Sequence, residues 1–214
     1  MSSSKPYYVL KSHYESCLAE FGDTNKGVDW PNQDDAQLRY RIMLDILKYL
    51  PNTNEFSVLD FGCGAAHLYD YILSQNIPNI TYSGLDISES FVSLCKKKYP
   101  SNNFFSGDVL SSKLDIGYFD FVICNGVFTE KQSMTWDQMW NFVQELLPYV
   151  FHHATHGIAV NFMHSHVDWE RDDLFHLPFD KLYAFCAEKM SRHVCIRSDY
   201  GLYEYTAYIL KSPA

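Results

Sequence analysis

The chain has 214 residues, enough for one domain that buries roughly 70% of the surface its unfolded form exposes. Its 17 basic residues stand against 26 acidic ones, a formal net charge of −9, which argues against the basic footprint that a phosphate backbone or an anionic membrane surface requires. No run of about 18 apolar residues occurs, and the opening Met1-Ser2-Ser3-Ser4-Lys5-Pro6 lacks the apolar core of a signal peptide, so neither nucleic acid nor membrane is an expected partner. The six cysteines (Cys17, Cys63, Cys95, Cys124, Cys186, Cys195) include no C-x-x-C pair and sit mostly in apolar segments, the usage of reduced thiols in a cytoplasmic protein.

Taken in order, Leu10, Tyr14, Cys17, Leu18 and Phe21 recur at helical spacing and stop at Gly22. A turn-rich stretch carrying Trp30 follows, and Asn32 or Asp34 caps a second helix expected to reach about Leu50, before Pro51. Strands and helices then alternate: strands at 56–61, 80–85, 103–105, 118–124 and 157–162, with helices at 65–74, 88–99 and 136–149, the last disturbed by Pro148. A polar, His-bearing insertion spans 163–178, a helix 179–190, and two strands (193–197, 203–210) close the chain. The alternation predicts a doubly wound α/β fold with a mostly parallel, seven-stranded sheet. Residues 198–202 are too few for a helical crossover, so the last strand is expected antiparallel to its neighbours. The expected organisation is one compact unit: an N-terminal helical cap over 1–51, and a cofactor-binding domain over 52–214 with a lid-like insertion at 163–178.

The chemistry gathers at strand ends, where open parallel sheets bind ligands. After the first strand come Asp60, Gly62, Cys63 and Gly64, the glycines permitting a turn and close ligand approach. Asp86 and Ile87 follow the second strand, with Asp86 twenty-two positions beyond Gly64, suited to ribose hydroxyls. Asp108-Val109 follows the third and Asn125-Gly126-Val127-Phe128 the fourth. Together these predict an adenosine-containing ligand. A dinucleotide fingerprint wants a third glycine at position 67, where His67 stands, which favours S-adenosylmethionine over NAD.

With Asp60-Phe61-Gly62-Cys63-Gly64-Ala65-Ala66 matching acidic-x-Gly-x-Gly-x-small, the chain resembles the class I S-adenosylmethionine-dependent methyltransferases over about residues 35–210. The resemblance implies that Gly62 and Gly64 pass beside the methionyl part and that Asp86 grips the ribose. It also implies that Asp108 faces the adenine amino group, flanked by Val109, and that Asn125 lies next to the sulfonium end. Gly27-Val28-Asp29-Trp30, Gln37-Leu38-Arg39-Tyr40 and Arg197-Ser198-Asp199-Tyr200 are similar to bacterial small-molecule methyltransferases of surface-polysaccharide and secondary-metabolite pathways. That likeness implies that Arg39 pairs with the cofactor carboxylate and places Arg197 and Tyr200 toward the substrate; Ser198 stands where the pattern has His.

Aromatic faces suit a sulfonium cation, which makes Tyr14, Trp30, Phe128 and Trp169 candidate walls of the substrate site. His164-Ser165-His166 lacks a third spaced ligand, so no metal is expected. If the acceptor is a hydroxyl, His13, His67, His164 or His166 is the candidate base; an anionic acceptor needs none. The absence of a Pro-Pro-aromatic run after Asn125 lowers the case for amino-group methylation. The expected activity is methylation of an oxygen on a small polar metabolite, such as a sugar or a phosphorylated or phosphoramidate precursor of capsule or other surface glycan, by a monomer or homodimer. The alternatives are a non-catalytic cofactor-binding or partner-binding module, an N-methyltransferase and an NAD-dependent oxidoreductase.

Overall fold

The structure, a computed structural model, describes residues 5–50, 55–112 and 114–213. Seven strands, β1 (Phe56–Phe61), β2 (Ile80–Asp86), β3 (Asn103–Ser106), β4 (Phe119–Cys124), β5 (Ala154–Met163), β6 (Val194–Arg197) and β7 (Glu204–Leu210), form one sheet in the order β3-β2-β1-β4-β5-β7-β6. The first five pair in parallel, and β7 runs antiparallel between β5 and β6, as the short closing connection requires. Strand order reverses between β1 and β4, which opens a crevice above their carboxyl ends.

Helices α1 (Tyr8–Phe21), α2 (Gln33–Leu44), α3 (His67–Ser74), α4 (Glu89–Lys98), α5 (Trp136–His152) and α6 (Phe179–Lys189) cover the sheet. The period of two along the central strands divides the core. Val58, Phe121, Ile123 and Ala159 pack with Tyr40 and Met43 of α2, Leu68 and Ile72 of α3, and Val92 of α4. Leu59, Val122, Cys124, Ile158 and Val160 pack with Met139, Val143 and Leu147 of α5, and Leu182 of α6.

Three segment boundaries differ from the sequence expectation by three residues or more. The second helix ends at Leu44 and tightens into a 3₁₀ turn over Asp45–Tyr49, a common way to finish a helix. The helix expected to falter near Pro148 runs on to His152. Proline in a helix interior costs about 3 kcal/mol, but Val150 and Phe151 beyond it are buried, and each such side chain contributes about 1.5–3 kcal/mol. The fifth strand begins three residues early, at Ala154, because its outer half continues to pair with β4.

Candidate active site

At the end of β1 the chain turns on Gly62 (φ 76°) and Gly64 (φ 51°), then enters α3 through Ala66, itself left-handed at φ 60°. A Cβ on Gly62 would stand 2.7 Å from Val127 Cγ2, so this turn admits glycine on both conformational and steric grounds. The Gly62 and Cys63 amides donate to Leu85 O at 2.7 and 3.0 Å. Asp86 orders the rest: its Oδ2 accepts from the Gly64 amide at 2.9 Å, and its Oδ1 accepts from Ser88 at 2.8 Å. Burial raises the Asp86 pKa against those two amides. Asp60 accepts from the Tyr82 hydroxyl at 2.7 Å, and burial pushes its pKa up to about 7.

These residues border a cleft that opens to solvent. Ile87, Val109, Leu110, Phe142 and Leu146 supply apolar wall, and Tyr14, Val28, Trp30 and Val127 also line it. Helix α1 is fastened at the cleft's edge by hydrogen bonds from Tyr7 and Tyr8 to Asp108 Oδ2, at 2.8 and 2.9 Å, and from Ser88 to Glu15 at 2.6 Å.

Of the residues singled out from sequence, Asp60, Gly62, Cys63, Gly64, Asp86, Ile87, Asp108, Val109, Asn125, Gly126, Tyr14 and Trp30 all line this cleft. The others do not. The Arg39 guanidinium lies over Trp30, 4.9 Å from the ring centre, while its Nε donates to the buried Glu204 at 2.8 Å, so Arg39 faces β7. Phe128 is fully buried, stacked on Phe162. Trp169 is half exposed beside Tyr203. Arg197 binds Asp199 and Asp45, and the Tyr200 hydroxyl meets Thr206 at 3.0 Å. The His164 Nδ1 accepts from the His166 amide, and the His164 ring packs against Phe179. His13 precedes the cleft residue Tyr14 but turns to Asp29, with Nε2 2.8 Å from Oδ2. His67 does line the cleft, with Nε2 2.8 Å from Asp23 Oδ1.

Several contributors were not legible in the sequence. Asn161, wholly buried in β5, accepts from the Gly126 amide at 2.8 Å and donates to Glu204, so a buried polar chain holds the loop after β4. A polar residue inside an apolar strand is the signal that could have found it. Within the 163–178 insertion, Phe175 and Leu177 are buried and Phe175 donates its amide to Thr129, which fastens that half to the segment after β4.

The family model described as "Methyltransferase domain" matches residues 59–148. Magnesium protoporphyrin IX methyltransferase from Synechocystis, with bound S-adenosylmethionine, is similar in structure (TM-score 0.63, 15% identity, 99% of this chain and 100% of that one). So are a S-adenosylmethionine-dependent methyltransferase of Leishmania major (0.65, 14%, 96% and 83%) and an amino pentose methyltransferase of Micromonospora echinaspora (0.57, 13%, 92% and 96%). A Mycobacterium tuberculosis protein named as a putative methyltransferase is 24% identical over 159 residues, 73% of this chain and 94% of that protein. Residues 59–148 therefore match a methyltransferase domain, and the chain carries the fold of the class I S-adenosylmethionine-dependent methyltransferases. The residues present fit that cofactor. The glycine turn leaves room where a Cβ would intrude, and Asn125, in the cleft wall, carries a buried Oδ1 with no donor among the described residues, a match for an ammonium group. No described helix is long and apolar enough to cross a membrane.

Proposed function

We propose that this methyltransferase acts on an oxygen of a small polar metabolite, of the sugar or phosphorylated-sugar kind that serves as a surface-glycan precursor, and that the oxygen is already anionic, a carboxylate or phosphoryl group. The observation that carries the last point is the position of the histidines. His13, His164 and His166 all lie off the cleft wall, and His67, which is on it, is committed to Asp23. An anionic acceptor needs no base. The net charge of −9 argues against a nucleic-acid acceptor, and the amino pentose methyltransferase shows that this fold serves a sugar-class acceptor elsewhere.

In this reading Asp86 holds the ribose, Asn125 the ammonium, and Asp108 with Val109 the adenine edge. Residues 10–50, whose Tyr14, Val28 and Trp30 line the cleft, cover the acceptor. The bound cofactor supplies a methyl group activated by its sulfonium charge. The protein's share is alignment and exclusion of water, which the apolar wall of Tyr14, Val28, Trp30 and Val127 performs. The test is mass spectrometry of products from a panel of sugar acids, sugar phosphates and neutral sugars, with S-adenosylhomocysteine release as the turnover signal. Methyl esters are expected. Methylation of a nitrogen overturns the reading, and tight cofactor binding without any turnover indicates the non-catalytic module instead.

A further inference from the structure

We propose that His13, Cys17 and Asp29 form a site for a divalent transition metal of the zinc class, which ties α1 to the loop leading into α2. His13 and Cys17 stand four residues apart on α1 and therefore share a face. Asp29 closes the short 3₁₀ turn of Asn25–Val28 in a left-handed conformation (φ 56°), its amide bonded to Lys26 O at 3.0 Å, so its carboxylate is presented from a fixed backbone.

His13 Nε2 is 2.8 Å from Asp29 Oδ2 and 3.8 Å from Cys17 Sγ, and one ligand atom from each of the three residues lies within 4.8 Å of the others. Two ligands on a tetrahedral zinc, each roughly 2.0–2.3 Å from the ion, stand about 3.3–3.8 Å apart, so one ion is accommodated by small side-chain shifts. The mixture of imidazole, thiolate and carboxylate selects zinc-class ions over magnesium or calcium, which take oxygen donors.

The surrounding charge points the same way. Glu130 Oε2 lies 3.7 Å from the same His13 nitrogen, although the residue is only 7% exposed. Among the described residues neither Asp29 nor Glu130 has a Lys or Arg partner within ion-pair distance; Arg171, close enough to feel both, is forked onto Asp173. With three protein ligands the fourth position falls to Glu130 or a water, and binding releases the Cys17 thiol proton to solvent. Asp29 sits between Val28 and Trp30, and His13 precedes Tyr14, all three neighbours being cleft residues. The ion therefore fastens two walls of the cleft to each other.

The test uses untagged full-length protein stripped with chelator and titrated with Zn²⁺ and with Co²⁺, both read without methyl transfer. One equivalent is expected to bind, raising the melting temperature, and cobalt is expected to give a near-ultraviolet thiolate charge-transfer band with the visible bands of a tetrahedral ion. Cys17→Ser loses the thiolate band, Asp29→Asn weakens binding roughly 10- to 100-fold, and Cys195→Ser, on β6, leaves both signals intact. Calorimetry with S-adenosylmethionine verifies that each variant is folded. Absence of saturable binding to the wild-type protein, or a cobalt spectrum unchanged in Cys17→Ser, overturns the proposal.

Discussion

Replacing Asp86 with Asn separates the two tasks assigned to this side chain. In the protein its two oxygens accept from the Gly64 and Ser88 amides, at 2.9 and 2.8 Å. An Asn offers one oxygen, so one amide is left facing an NH₂ group. A hydrogen bond to a charged acceptor contributes about 1.5–3 kcal/mol, but the removed carboxylate was also disfavoured by burial, as its raised pKa records. The two effects leave a net loss of about 1–2 kcal/mol in stability, a fall of roughly 2–8 °C in melting temperature for a domain of this size. The proposed ribose contact would lose a charged acceptor of similar worth, so S-adenosylmethionine affinity is expected to drop roughly 10- to 100-fold. Scanning fluorimetry reads the first effect and titration calorimetry the second. An Asp86→Asn protein with native circular dichroism and wild-type affinity refutes the ribose assignment, whereas an unchanged melting temperature refutes the tether.

Other expectations follow from the same geometry. The Asp60 pKa of about 7 lies above its unfolded value, so its contribution is full below about pH 4 and is lost as pH rises toward 7, at up to about 1.4 kcal/mol per unit. Asp60→Asn, which keeps an acceptor for Tyr82, should flatten urea-derived stability across that window; an unaltered slope counts against a buried proton on Asp60. Glu204→Ala strands Arg39 and the Asn161 amide, costing about 3 kcal/mol in urea denaturation, and Glu204→Gln should recover part of it. Equal losses in the two variants would show that the carboxylate charge, and not the hydrogen-bonding oxygen, is what matters. Phe128→Ala removes a fully buried ring and should cost about 3–5 kcal/mol while cofactor affinity in the folded protein changes little; a large affinity loss would return Phe128 to the ligand site.

The glycine turn, Asp86 and Asn125 were readable because strand-end position and local spacing determine where they go. The sheet was readable because alternation of strand and helix leaves few topologies. What escaped was contact at long range: Tyr7 meets Asp108 across 101 positions, and Arg39 meets Glu204 across 165. Helical spacing puts Arg39 on a face of α2 but says nothing of what crosses that face, and β7 claimed it. The histidines misled for a related reason. A polar, His-bearing stretch resembles a catalytic loop, yet the His164 ring accepts from the His166 amide and packs on Phe179, and neither histidine lines the cleft. Pro148 marked a helix end by local rule, and tertiary burial of Val150 and Phe151 overruled it.

Helix α1 meets the rest of the molecule through Asp108 and Ser88, two residues that also wall the cofactor cleft. The cleft wall and the docking of a 14-residue helix therefore share residues, so loosening the helix is expected to alter the cleft as well.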